Sequence, residues 1–287
     1  MVRVGNVTVG EGSVVKVMGI INASPESFYK RSVKVNSRDI ASTAISMQEQ
    51  GASIIDIGAM STAPYLETVI SEDKEIARML DAIKAVLGSG CSLPISADTP
   101  RAAVAKAAIS HGAAVINDVS GLKHDPEMAQ IVSDTQVPVI IGAHSSQPTR
   151  SKDSVSSTVQ DLRESISIAI NAGVKKDKII LDPSIGFYRA EGKNPFFTKF
   201  SGKPWYARDL EVLSKLERIA KLGPVCISIS AKSFIGQLLG IPKADERIIP
   251  SISCEVYAAT KGASIIRTHN VLASTQAQTM LQLLSFG

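Results

Sequence analysis

The sequence predicts an α/β protein built as a (β/α)8 TIM barrel behind a short N-terminal β-hairpin. Three observations predict it. Eight short apolar runs alternate with eight helical stretches over 287 residues. The spacing between the runs suits right-handed βα units, the connection used by parallel strands of one sheet. Each run also ends on polar or charged residues, and a barrel keeps its chemistry on the C-terminal rim of its strands. A doubly wound open sheet is the alternative. It usually has fewer strands, and no GxGxxG loop follows the first run here.

The elements follow in order. Residues 2–13 open with VRVGNVTVG, apolar and polar in alternation around Gly5-Asn6, which predicts the hairpin. The barrel occupies 14–287, and composition does not shift along it, so 1–287 reads as one domain. Strands are expected over 14–21, 53–57, 93–99, 114–119, 137–144, 178–182, 224–230 and 264–270. Helices are expected over 39–50, 71–87, 101–111, 125–134, 154–172, 207–222, 233–261 and 271–286, several closed by glycine. The clearest unit is KIILDPSIGF at 178–187, where Asp182 ends a run apolar on both faces and Pro183 and Gly186 force a turn. A carboxylate there is costly unless it is paired or bound to a ligand. The longest connections are 23–36, 58–70 and 188–206. The last is rich in aromatics and reads as a lid over the active face.

Composition narrows the function. Charged residues make up 20% and the net charge is +4, with no basic run interleaved with aromatics, so nucleic acid is not expected as a partner. No apolar run reaches the roughly 18 residues of a membrane span. The three cysteines, Cys91, Cys226 and Cys254, have no metal spacing and suit a reducing compartment. With no signal-like N-terminal segment, a cytoplasmic protein is expected.

The polar strand ends are Asn22, Asp56, Asp98, Asn117 with Asp118, His144, Asp182, Lys232, and Arg267 with His269. Singly, each also fits a structural role: Asp56 bonding within the barrel, Asp118 capping a turn before Gly121, His144 packed in the core. As a set they describe a site. Asp98, Asn117 and Asp182 offer the acceptors and amides that match the edge of a flat heterocycle. Lys232, Arg267, His269 and Asn22 suit a phosphate or diphosphate. No GxSxG nucleophile or HExxH zinc motif is present.

These stretches together resemble the dihydropteroate synthases and the wider pterin-binding barrel family. MGIINASPESF at 18–28 and GASIIDIGAMSTAP at 51–64 are similar to that family's first two signatures. PISADT, VINDVSG, IILDPSIGF, SISAKSFIG and IIRTHNV follow in the family's order. The resemblance implies condensation of 6-hydroxymethyl-7,8-dihydropterin diphosphate with p-aminobenzoate or a related arylamine, releasing pyrophosphate. It implies that Asp98, Asn117, Asp182 and Lys232 bind the pterin, and that Asn22, Arg267 and His269 hold the diphosphate. Asn22 is also implied as the Mg²⁺ ligand, and Ser61, Thr62, Pro64 and Ser230 as neighbours of the arylamine. Lys232, Arg267 and His269 are the implied catalytic groups. A homodimer through the last helices is implied as well.

Four departures bear on the second substrate. Ala63 and Ala231 stand where the family carries arginines, Asn270 replaces a carboxylate, and SPESFYKRS replaces the family's first loop. A phosphorylated arylamine held by Lys30, Arg31, Lys193, Lys199 and Lys203 is therefore an expectation to test. Two other readings share the barrel: a pterin-dependent methyltransferase, which needs no diphosphate clamp, and a pterin-binding paralogue without synthase activity.

Overall fold

The computed structural model describes residues 1–26, 33–34, 36–150 and 152–285. The chain begins with β1 (Val2–Val4), β2 (Val7–Val9), β3 (Lys16–Asn22), α1 (Ser37–Glu49), β4 (Ile54–Gly58), α2 (Glu72–Gly88), β5 (Ile95–Asp98) and α3 (Ala102–Ser110). Next come β6 (Ala113–Asp118), α4 (Met128–Thr135), β7 (Val139–Gly142), β8 (Thr149–Arg150), α5 (Ser154–Asn171) and β9 (Ile179–Asp182). The rest is β10 (Tyr188–Arg189), β11 (Thr198–Ser201), α6 (Trp205–Ser214), α7 (Glu217–Ala220), β12 (Val225–Ser228), α8 (Ser233–Leu239), α9 (Ile248–Thr260), β13 (Ala263–Thr268) and α10 (Val271–Ser285). Eight parallel strands close into a barrel in the order β12-β13-β3-β4-β5-β6-β7-β9. The expected (β/α)8 architecture and hairpin are both present.

Alternation along each strand explains why the barrel is dry below and polar above. Side chains two apart share a face. The inward series therefore run Met18-Ile20-Asn22 on β3, Ile54-Asp56-Gly58 on β4, Val115-Asn117 on β6, Ile180-Asp182 on β9 and Ile265-Arg267 on β13. The lower members Met18, Ile54, Val115, Ile140, Ile180, Cys226 and Ile265 form one buried cluster with Val2, Val4 and Val9 of the hairpin. The hairpin is thus a plug that closes the N-terminal mouth of the barrel. The intervening positions point outward into a larger shell between strands and helices, with Ile55, Ile57, Ile116, Ile141 and Ile266 among them. Putting an apolar layer beneath the polar one lets a strand carry a costly group at one end only.

Three expectations change. The 188–206 connection is not a loose lid: β10, β11 and β8 pair as a small parallel sheet. Its aromatics Tyr188, Phe196 and Phe200 are buried, and Ser145 N–H donates to Thr198 Oγ1 at 2.9 Å. The helix expected over 207–222 is two, α6 and α7. The helix expected over 233–261 breaks at the left-handed Gly240 and Pro242, giving α8 and α9. Lys30, Arg31, the end of the 18–28 signature and Phe286 lie outside the described residues.

Candidate active site

A pocket opens where the strands end. Its floor is formed by Ile20 and Asn22 of β3, Asp98 of β5, Ser228 of β12 and Arg267 of β13. Its walls are residues 60–65 after β4, Gly186, Phe187 and Arg189 after β9, and Ser230, Lys232, Ser233 and His269. Gly58 keeps the floor open: a Cβ there would stand 3.4 Å from Asn22 Oδ1 and 3.8 Å from Asp98 Oδ2.

Arg267 is the centre of the floor. Its Nε donates to Asp56 Oδ2 at 2.7 Å, its Nη2 to Asp98 Oδ2 at 2.6 Å, and its Nη1 to Ser228 Oγ at 3.4 Å. Burial opposes the guanidinium charge, but the two carboxylates outweigh it and hold the group protonated. Asp98 goes the other way. Burial, reinforced by Asp56, Glu75 and Asp182 and opposed by Arg267, lifts its pKa to about 7. Asn117 is Asp98's partner in register, and its Nδ2 lies 3.4 Å from Asp56 Oδ1. Asp182 is raised by burial, against the pull of a 2.7 Å bond from Ser184 N–H and of Lys232. Asn117 and Asp182 belong to this charged ring without lining the open pocket.

The mouth is built differently. Lys232 Nζ sits 4.6 Å from the Phe187 ring centroid. Burial draws its pKa down to about 8, with Asp182 pulling the opposite way. Burial and then the Arg267 and Lys232 charges push His269 down to about 3, so its imidazole is neutral at neutral pH. Its Nδ1 is 3.1 Å from Ser230 Oγ, which also accepts the His269 backbone N–H at 3.2 Å. Ser61, Thr62 and Pro64 line the opposite wall. The Ser61 carbonyl accepts from Thr68 Oγ1 at 2.6 Å and Asn194 Nδ2 at 3.3 Å, and the Pro64 carbonyl accepts from Lys193 N–H at 2.7 Å. The small sheet's connection thus braces the 58–70 loop.

Two polar strand ends have the structural role open to them. Asp118 accepts from Ser120 N–H and Leu122 N–H, both at 2.8 Å, and caps a turn. His144 is half-buried off the pocket; burial and the Lys123 and His124 charges press its pKa to about 4, while its carbonyl accepts from Lys123 Nζ at 2.6 Å. Among the described residues no group of three His, Cys, Asp or Glu is placed to hold a metal ion.

Residues 18–269 match the pterin binding enzyme family, which is most of the chain. The chain belongs to that family. It is 37% identical over 285 residues to the dihydropteroate synthase of Clostridium beijerinckii, covering 98% of each chain. It is 38% identical over 257 residues to that of Bacillus subtilis, covering 89% of this chain and 83% of the relative. Among solved structures it resembles the Xanthomonas albilineans dihydropteroate synthase with 4-aminobenzoic acid, with a TM-score of 0.83, 30% identity and coverage of 95% and 94%. The Coxiella burnetii enzyme in complex with pteroic acid gives 0.82, 32%, 95% and 94%.

Against this family, Ala63 is buried in the pocket wall. Ala231 adopts φ +58°, and its carbonyl accepts from Arg247 Nη1 at 3.0 Å. The residues that sequence reasoning missed are Arg189, Ser233 and Tyr65 in the wall. Asp56 bonds within the barrel as the sequence allowed, with Arg267 as its partner. Arg189 is hidden inside a connection, on a two-residue strand of the small sheet.

Proposed function

We propose that this chain joins 6-hydroxymethyl-7,8-dihydropterin diphosphate to p-aminobenzoate, giving dihydropteroate and pyrophosphate in folate biosynthesis. The observation that carries the reading is the floor itself. Asp98, Asp182 and Asn117 gather acceptors and an amide for a pterin edge around one fixed guanidinium. Lys232 and His269 stand above it, with Asn22 at its edge, where a diphosphate would leave. The complexes of relatives with pteroic acid and 4-aminobenzoic acid support both substrates.

The chemistry follows from the charges. The bond from the pterin methylene to the diphosphate oxygen breaks, and its electron pair leaves with pyrophosphate. The electron-rich pterin spreads the positive charge left on the methylene, so the site needs donors at the leaving group more than a base. Lys232 and Arg267 supply positive charge, and neutral His269 supplies a hydrogen bond. The arylamine nitrogen attacks the methylene, and its proton passes to solvent. Positioning the amine supplies much of the remaining acceleration. Asn22 offers Mg²⁺ one neutral oxygen, which fits an ion that takes most of its ligands from substrate phosphates and water. Mg²⁺ bound there would neutralise charge on the departing pyrophosphate.

Of the basic residues considered for a phosphorylated arylamine, the described ones, Lys193, Lys199 and Lys203, do not line this pocket. Lys193 and Lys199 are exposed on the connecting segment, and Lys203 is held by Glu211 and the Lys152 carbonyl. We therefore favour p-aminobenzoate. Exposed Ile249, Tyr257, Leu272, Met280 and Leu283 on α9 and α10 support a homodimer. No described helix is long and apolar enough to cross a membrane, and a cytoplasmic location is part of this proposal.

The test is pyrophosphate release from dihydropterin diphosphate with Mg²⁺, run with p-aminobenzoate, with a ribosyl-phosphate arylamine and with no amine. Release that depends on p-aminobenzoate is expected. Pterin binding without release under any amine would overturn the synthase reading in favour of a methyltransferase or a binding protein.

A further inference from the structure

Asp56, Glu75, Asp118, Asp209 and Glu255 are the carboxylates fully withdrawn from solvent among the described residues. All but Glu255 meet strong donors. Asp56 pairs with Arg267, Glu75 with Arg101 at 2.8 Å and Asp209 with Arg208 at 3.0 Å, while Asp118 accepts backbone N–H groups of Ser120 and Leu122. Glu255, on α9, has neither a cation nor a main-chain donor among the described residues. Its Oε2 accepts from Ser274 Oγ of α10 at 2.6 Å, and its Oε1 has no hydrogen-bond partner there. Burial raises its pKa to about 7, against the pull of the Ser274 and Thr268 hydroxyls. A buried carboxylate so weakly answered is costly. The chemistry described above does not use it.

Those hydroxyls hold the end of β13. Thr268 is the last residue of that strand, between Arg267 and His269. Arg267 points into the barrel, so Thr268 points outward to the helices, where it is fully buried with Ser274. Ser274 Oγ lies 3.1 Å from Thr268 Oγ1, and Thr268 Oγ1 accepts the Asn270 N–H at 3.1 Å. The Asn270 carbonyl in turn accepts the Ser274 N–H at 3.0 Å. A chain of bonds therefore runs from the Asn270 main chain through two hydroxyls to one carboxylate, and each bond polarises the next. On the pocket side, Ser230 Oγ accepts the His269 N–H at 3.2 Å and lies 3.1 Å from its Nδ1. The turn that carries His269 is thus held from behind by Glu255 and from in front by Ser230. Apolar side chains would serve packing better. A hydrogen-bonded chain adds direction, because such a bond weakens steeply when its donor turns away.

We propose that Glu255 is a positioning residue for the diphosphate: through Ser274 and Thr268 it fixes the 268–270 turn, and with it the stance of His269 at the pocket mouth. The inference rests on the condensation reading above, in which His269 serves the leaving group. Glu255 itself touches no substrate.

The test is equilibrium binding of 6-hydroxymethyl-7,8-dihydropterin and of its diphosphate, with Mg²⁺ and no amine, on the alkaline side of the Glu255 pKa. The ratio of the two affinities isolates the diphosphate. In E255L that ratio should fall about tenfold, the effect of one well-aimed hydrogen bond, with affinity for the alcohol within about twofold of the wild type. E255Q keeps an acceptor oxygen and should hold the ratio within about threefold. T268V should lose what E255L loses, and the double variant no more than either alone. Should E255L not fold, T268V carries the same test. The urea midpoint of E255L should be unchanged or higher, because an apolar group replaces a buried charge that has no cation. A residue with only a structural role would lose stability and both ligands together. Equal weakening of both ligands in E255L overturns the proposal. So do losses in E255L and T268V that multiply, and an E255Q as impaired as E255L, which would make the charge rather than the bonded chain responsible. A wild type that binds the alcohol as tightly as the diphosphate overturns the condensation reading and this inference together. A clear wild-type preference that E255L and T268V leave unmoved overturns this inference alone.

Discussion

The floor and the mouth of the pocket are both charged, but they handle charge in opposite ways. The floor is borne on strands and is internally compensated: Arg267 sits between Asp56 and Asp98, with Asp182 and Asn117 around them. The mouth is borne on connections and is less tightly paired: among the described residues Arg189 makes no direct ion pair and stacks on Trp205, and Lys232 lies against the Phe187 ring. A compensated floor can hold its shape before substrate arrives. A less tightly paired mouth gains most when substrate arrives, which is where selectivity is set. Substitutions at the two arginines should therefore separate stability from recognition.

The largest effect is expected at Arg267. Arg267→Met leaves Asp56 and Asp98 buried without their counter-charge, and breaking a buried pair from one side costs about 3–5 kcal/mol. Urea unfolding should show that loss, along with abolished pyrophosphate release. Arg189→Met should instead unfold within about 1 kcal/mol of the wild type, because losing a cation–π contact is offset by removing an unpaired buried charge. Equal destabilisation of the two variants would erase the distinction between floor and mouth.

The same contrast sets a pH window. Asp98 has a folded pKa of about 7, raised from 3.8, so its stabilising contribution is complete below about 3.8 and is lost as pH rises through 7. Lys232 has a folded pKa of about 8, lowered from 10.5, so its contribution is complete above 10.5 and is lost as pH falls through 8. Between about 7 and 8 both groups are charged and neither adds a slope to stability. That is also the form needed to accept from a pterin and hold a diphosphate. The profile of kcat/KM for the pterin substrate should be a bell with limbs near those values. Lys232→Arg should remove the alkaline limb at reduced rate, and an alkaline limb unmoved in that variant would sink the assignment.

How much of this was legible in the sequence follows from the same division. The floor could be read because strand geometry is periodic: once Ile180 is placed inward, Asp182 must be too, and likewise Ile265 and Arg267. Repeated eight times, the pattern specified the barrel and most of the ring. The mouth could not be read that way. Arg189 reaches the pocket because β10 pairs with β11 and Trp205 begins α6 beneath it, and no local period encodes that pairing. The break between α8 and α9 was missed because the apolar residues on either side keep a helical spacing across Gly240. His144 had the position of a site residue but not its direction, since the strand ends at Gly142 before the side chain is aimed.

The smallest effect tests the joint between the two regions, at Ser184. It follows the last residue of β9 by two and adopts φ +53°, a left-handed conformation that costs a residue with a Cβ about 1–2 kcal/mol. Its hydroxyl is buried with no hydrogen-bond partner among the described residues, so the side chain returns little. The backbone does the useful bonding: Ser184 N–H donates to Asp182 Oδ1 at 2.7 Å, and the carbonyl accepts from Phe187 N–H at 3.1 Å. Ser184→Gly keeps both bonds, relieves the strain and removes the unpaired hydroxyl. The unfolded chain gains freedom worth about 0.5–1 kcal/mol, which offsets part of the gain. The net expectation is a stabilisation of about 1 kcal/mol, read as a higher urea midpoint at an unchanged slope. A lower midpoint would mean that the hydroxyl has a partner, and that the turn after β9 is held by its side chain rather than by the main chain.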